Sequence, residues 1–97
     1  MGFSGNWEIT AVEIIMIPRI KKLEVLDDLK LKITFDDQIT VCYDVSEDIK
    51  NIPSYRPLQY EKGLFENAKV DESRTVVFWN DYIDLPSDSL YEYGTRI

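Results

Sequence analysis

Any chemistry in this chain has to come from carboxylates, tyrosines and one thiol, because none of its 97 residues is histidine. Without an imidazole, serine and cysteine nucleophiles lose their usual base, and the side chain that most often moves protons at neutral pH is missing. Zinc held by histidine or by several cysteines is excluded as well, since Cys42 is the single cysteine. It falls on the polar-leaning side of an expected strand, with no helix start or fixed cation beside it, and reads as a half-buried, inert thiol.

Carboxylates are plentiful: 18 Asp and Glu against 11 Lys and Arg give a formal charge of −7. Asp27-Asp28 and Asp36-Asp37 stand at expected turns, where an aspartate bonds nearby backbone N–H groups. Asp81, Asp84, Asp88 and Glu92 follow one another closely, but they lack the alternating ligands and central glycine of a calcium loop, and Pro86 interrupts them. The four glycines are scattered, and none opens a helix after a strand as a phosphate loop requires. No catalytic residue, metal site or cofactor is expected. Aromatic residues are the remaining feature, with Phe78, Trp79, Tyr82, Tyr91 and Tyr93 crowding the last quarter among acids. One reading makes them a corner of the core whose Trp and Tyr polar atoms find local partners. The other makes Trp79, Tyr82, Asp84 and Tyr91 a partner-binding patch, since Trp and Tyr are enriched at interface hot spots.

The elements that would position these residues follow from periodicity. Residues 7–17 are rich in β-branched side chains and read as a strand, interrupted at Pro18 by a bend, a bulge or a new strand. Lys22 to Val25 alternates, Asp27-Asp28 turns, and residues 30–35 alternate strictly with Leu31, Ile33 and Phe35 on one face. A three-residue turn, Asp36-Asp37-Gln38, sets Phe35 opposite Ile39 and keeps Val41 and Tyr43 on the same side. Ser46 looks like the cap of a short helix, and residues 58–68 like a second one that buries Leu64, Phe65 and Ala68 and contains the helix-disfavouring Gly63. Residues 75–79 form a continuous apolar strand expected to be covered on both faces. A last short helix, 88–93, is capped by Asp84 or Ser87 and ended by Gly94. The expectation is an α+β fold: a small antiparallel β-meander, two or three short helices, a further short strand and a short C-terminal helix.

One cysteine fits a reducing compartment, and the longest apolar run, residues 14–17, is too short for a signal-peptide core or a membrane span. A cytoplasmic location with no membrane contact is expected. The surplus charge is uneven. Residues 1–32 are balanced, with five acids and five bases, so all seven surplus negative charges lie in residues 33–97. Phosphate backbones repel such a surface, and direct nucleic-acid binding is not expected. The basic run Arg19, Lys21, Lys22, Lys30 and Lys32 reads as a solvated strand face.

Residues 16–20, 29–35, 43–45, 69–71, 75–80, 83–85 and 88–92, taken in order, resemble the bacterial domain of unknown function family 2442 (DUF 2442), a small α+β domain. The most specific piece is the ending: a Trp-Asn strand end, Ile-Asp-Leu, then Asp-x-Leu-Tyr-Glu. The resemblance covers residues 16–93 and carries no catalytic set. It departs at Gln38 and at Asp81-Tyr82, where relatives place glycine. Relatives occur alone, fused to helix-turn-helix domains, or encoded beside another small protein in a toxin–antitoxin-like arrangement. Residues 16–97 are thus expected to form one domain. Residues 1–15 are an N-terminal extension, an extra strand or an arm, and residues 7–17 are a possible contact between copies. The functional expectation is a non-catalytic protein-interaction module, antitoxin-like or regulatory, with an unidentified protein partner. The alternative is a carboxylate- and tyrosine-based enzyme or small-ligand-binding domain.

Overall fold

The computed structural model describes residues 17–97. The extra strand or arm expected at residues 1–15 lies outside the described residues, as does the expected contact between copies except for Ile17, which is exposed. The fold is α+β, with two antiparallel sheets. Strands β1 (Ile20–Val25), β2 (Lys30–Phe35), β3 (Thr40–Asp44) and β7 (Thr95–Arg96) form one sheet in that order. Strands β4 (Lys69–Val70), β5 (Val76–Asn80) and β6 (Ile83–Pro86) form the other. Between them in the chain lie α1 (Ser46–Asn51) and α2 (Pro57–Tyr60), while α3 (Ser87–Tyr93) follows β6 and leads into β7.

The meander has the expected register. Ile33 sits opposite Val41, the Phe35 N–H reaches the Ile39 carbonyl at 2.9 Å, and Leu31, Ile33, Phe35 and Val41 are fully buried. They share one core with Val77, Trp79, Ile83 and Leu85 of the second sheet and with Ile49, Leu58, Phe65 and Leu90 of the helical segments. Alternation alone puts these side chains on one face, and burial of that face supplies the stability.

Several local expectations change. Residues 58–68 are not one helix: α2 stops at Tyr60, Gly63 takes a positive φ of 84°, and a separate 3-10 turn covers Phe65–Asn67. A left-handed residue cannot continue a right-handed helix. Ser46 does not cap α1. Its N–H and its hydroxyl both donate to the Asp44 carboxylate, at 3.0 and 2.6 Å, which orders the entry to the helix and lowers the pKa of Asp44. The apolar strand covers Val76–Asn80 and buries only Val77 and Trp79, its other side being half-exposed. Gly94 ends α3 with an extended backbone, so its need for glycine is steric. A Cβ there would lie 2.8 Å from Val41 Cβ and 2.7 Å from the Leu90 carbonyl oxygen.

The turn between β2 and β3 keeps the left-handed geometry at Gln38, which has φ 75°. Its N–H donates to the Phe35 carbonyl at 2.9 Å, and the Asp37 carboxylate accepts the Ile39 N–H at 3.0 Å. A side chain at that φ is strained, and only glycine adopts it without steric cost. Replacing Gln38 with glycine is therefore expected to raise stability by up to about 1 kcal/mol, the relief outweighing the added freedom of the unfolded chain. Urea unfolding reads the change; a variant less stable than the parent would contradict it.

Candidate functional site

Residues 18–20 run between the two sheets and are tied to both. The Pro18 carbonyl accepts the hydroxyl of Ser87 at 2.6 Å, and Ser87 itself is buried. The Arg19 carbonyl accepts the Asp36 N–H at 2.9 Å, and the Ile20 N–H donates to the Arg74 carbonyl at 2.7 Å. Arg74 sits in the turn between β4 and β5 with φ 63°, and its guanidinium bonds the Asp36 carboxylate at 2.8 Å. Asp71 holds that turn by accepting the N–H groups of Thr75 and Val76 at 3.0 and 3.1 Å. The Ser73 hydroxyl, then these amides, keep the Asp71 carboxyl below its ordinary pKa.

This strap forms one wall of a cleft of about 630 Å³, and α3 forms the other. Among the described residues, Ile17, Pro18, Phe35 and the Tyr91 ring give it an apolar lining, while Asp36, Asp37, Asp88 and Glu92 supply carboxylates and Arg19 a cation. Tyr91 organises the floor. Its ring meets Phe35 edge-on at 4.9 Å between centroids, its hydroxyl donates to Asp37 at 2.5 Å, and the Arg96 guanidinium lies 5.1 Å from its ring centre. The Tyr91 hydroxyl, followed by the Ile39 amide, holds the Asp37 carboxyl below its ordinary pKa, and the same bond pushes the Tyr91 phenol up. Asp88 and Glu92 stand four residues apart on α3, a spacing at which like charges on a helix repel one another.

Among the described residues, the carboxyls with a displaced pKa, Asp37, Asp44 and Asp71, are displaced downward by hydrogen-bond donors. A general acid working near neutral pH needs the opposite displacement. Among the described residues no cluster of three or more Asp, Glu or Cys is arranged to hold a metal ion. Nor is any helix long and apolar enough to cross a membrane.

Of the four residues singled out from sequence, only Tyr91 lines this cleft. Trp79 is buried, stacks on Phe65 at 5.8 Å and donates its indole N–H to the Phe65 carbonyl at 3.0 Å. Tyr82 projects from the β5–β6 turn and is 84% exposed. Asn80 makes that turn without glycine, its carboxamide oxygen accepting the Tyr82 and Ile83 N–H groups at 2.8 and 3.0 Å. The Asp84 side chain is exposed, while its backbone carbonyl accepts the Tyr55 hydroxyl. Cys42 is half-buried and unpaired. Sequence reasoning missed the strap and the pairing of Asp37 with Tyr91, residues 54 apart in the chain. It placed Tyr43 on the inner face of the meander but missed its polar contact: the hydroxyl donates to Asp48 at 2.6 Å, and the phenol is held far above its ordinary pKa by burial and then by that carboxylate.

No protein-family model, curated protein or solved structure matches this chain.

The Asp37–Tyr91 bond has a pH signature. The folded pKa of Asp37 lies below its unfolded value, so the bond's contribution is present above about pH 3.9 and is lost as pH falls through the folded value. Tyr91→Phe should move the Asp37 midpoint up toward its ordinary value. The variant should also melt below the parent at pH 7, with the difference narrowing in acid. Carboxyl-detected NMR titration and melting at two pH values read both effects; an unmoved Asp37 midpoint contradicts the assignment.

Proposed function

We propose that this chain is a cytoplasmic, non-catalytic protein-interaction module, antitoxin-like or regulatory, that engages its partner at the cleft between the strap and α3. The observation that carries this reading is the pairing of an apolar floor with a rim of acidic side chains. Asp36 is engaged by Arg74, and Asp37 is held by the Tyr91 hydroxyl beside Arg96, which leaves Asp88 and Glu92 on the rim with Arg19 as the cation lining the cleft among the described residues. Such a surface suits a protein segment that presents apolar side chains flanked by lysine or arginine, because opposite potentials steer encounter and reject acidic competitors. The resemblance to DUF 2442 agrees with it, since that family brings no catalytic set and some relatives neighbour a second small protein. The net charge of −7 argues against nucleic acid as the direct partner.

A small-ligand site is the second reading, favoured by the cleft's volume of about 630 Å³, a size at which small molecules bind. A test separates the two. The tagged protein is recovered from its native host after nuclease treatment, beside an Asp88→Lys/Glu92→Lys variant, and both are examined by native mass spectrometry. The proposal expects one small basic protein in stoichiometric amount with the parent, and at least about tenfold less with the variant, as expected for charge reversal at an interface. Equal recovery by parent and variant would remove the cleft from the account. A bound small molecule without any protein would favour the second reading.

A further inference from the structure

Among the described residues strand β1 ends its sheet, and the way it is bonded defines what its open side offers. The Leu26 N–H donates to the Lys30 carbonyl at 2.8 Å, and the register pairs Glu24 with Lys32 and Lys22 with Thr34. Antiparallel ladders alternate, so Lys22, Glu24 and Leu26 spend their backbone groups on β2, while those of Leu23 and Val25 point away from it. Among the described residues no backbone group meets them. The start of the strand is closed, because the Ile20 N–H is used by Arg74 and the pairing is irregular between Ile20 and Lys22. The open stretch is short and centres on Leu23.

We propose that β1 is a self-pairing edge, through which a second copy of this chain adds antiparallel about a two-fold axis at Leu23. The side chains select both the occupant and the register. Lys22 and Glu24 flank Leu23 on the face away from the core, where Glu24 lies 3.7 Å from Lys22 and 3.8 Å from Lys32. With Leu23 opposite its own copy, Lys22 of each chain faces Glu24 of the other, giving two opposite-charge cross-strand pairs. Centring on Glu24 instead would set the two glutamates against each other, and like charges directly opposite destabilise a strand pair. The segment Lys22-Leu23-Glu24 is thus complementary to its own reverse. Leu23 exchanges backbone N–H and C=O bonds with its copy, and the bulge before Lys22 ends the ladder on both sides. An edge this short falls below the ~1,000 Å² of a permanent interface, so the association is weak and concentration-dependent. The surface is distinct from the cleft, whose lining includes no residue of 21–25.

Sedimentation equilibrium on the full chain, from about 10 μM to about 1 mM at low salt, tests the proposal in the range where weak interfaces assemble. The average mass should rise from monomer to dimer across that range. Lys22→Glu and Glu24→Lys should each raise the dissociation constant about tenfold or more, because each turns two attractive pairs repulsive. The double swap, Lys22→Glu with Glu24→Lys, should restore association to near the parent's. Both side chains are substantially exposed, 67% and 39%, and melting curves confirm that each variant is folded. Lysines and bulges also serve to blunt an edge against pairing, and an edge of that kind would stay monomeric throughout. Monomer at every concentration, single variants that associate like the parent, or a double swap that fails to restore association would each overturn the proposal.

Discussion

The three-residue strap of Pro18, Arg19 and Ile20 is the constraint on which the arrangement of the two sheets depends. Its three carbonyls and one N–H reach Ser87, Asp36 and Arg74, and so join the start of α3, the β2–β3 turn and the β4–β5 turn. Proline supplies no N–H, so at that position the strap accepts without leaving a donor unpaired. Among the described residues the partner of the buried Ser87 hydroxyl is the Pro18 carbonyl. Arg74 acts twice, offering its carbonyl to Ile20 and its guanidinium to Asp36, and Asp71 holds it in the left-handed turn that makes both possible.

The cleft follows from that strap. Because residues 17–19 are held above the β2–β3 turn, Phe35 becomes a floor and α3 stands opposite as a wall. Tyr91 then bridges floor and turn through its contacts with Phe35 and Asp37. The carboxylates are placed by backbone rather than by one another: Asp36 and Asp37 by the three-residue turn, Asp88 and Glu92 by successive turns of α3.

How much of this was legible in the sequence depended on whether the signal was local. Alternation in residues 30–45 gave the meander, its buried face and the three-residue turn, since a period of two admits only one inward set when one face is covered. Short helices were less readable. Ser46 has the chemistry of a cap, yet Val45 holds the N-cap position with no side-chain cap and Ser46 donates to Asp44 instead, and Gly63 divided what looked like one helix into two pieces. Trp79 illustrates the limit for sites, because an aromatic among acids fits both an interface and a core, and only its stacking on Phe65 distinguishes them. The Asp37–Tyr91 pair and the strap's bonds to Arg74 and Ser87 left no local trace, as they join residues more than fifty positions apart. Gln38 kept a left-handed turn without glycine because the hydrogen bonds around it fix the backbone.

The strap's role is tested most directly by native-state hydrogen exchange of the Ile20 amide, whose N–H crosses from one sheet to the other. If the strap holds the sheets together, this amide exchanges only when the whole domain opens. Its opening free energy should then lie within about 1 kcal/mol of those of Ile33 in β2 and Val77 in β5, and should fall with theirs as urea is added. Exchange at Ile20 that is fast, insensitive to urea and independent of Ile33 and Val77 would show the strap fraying on its own. The two sheets would then be held by the apolar core without it.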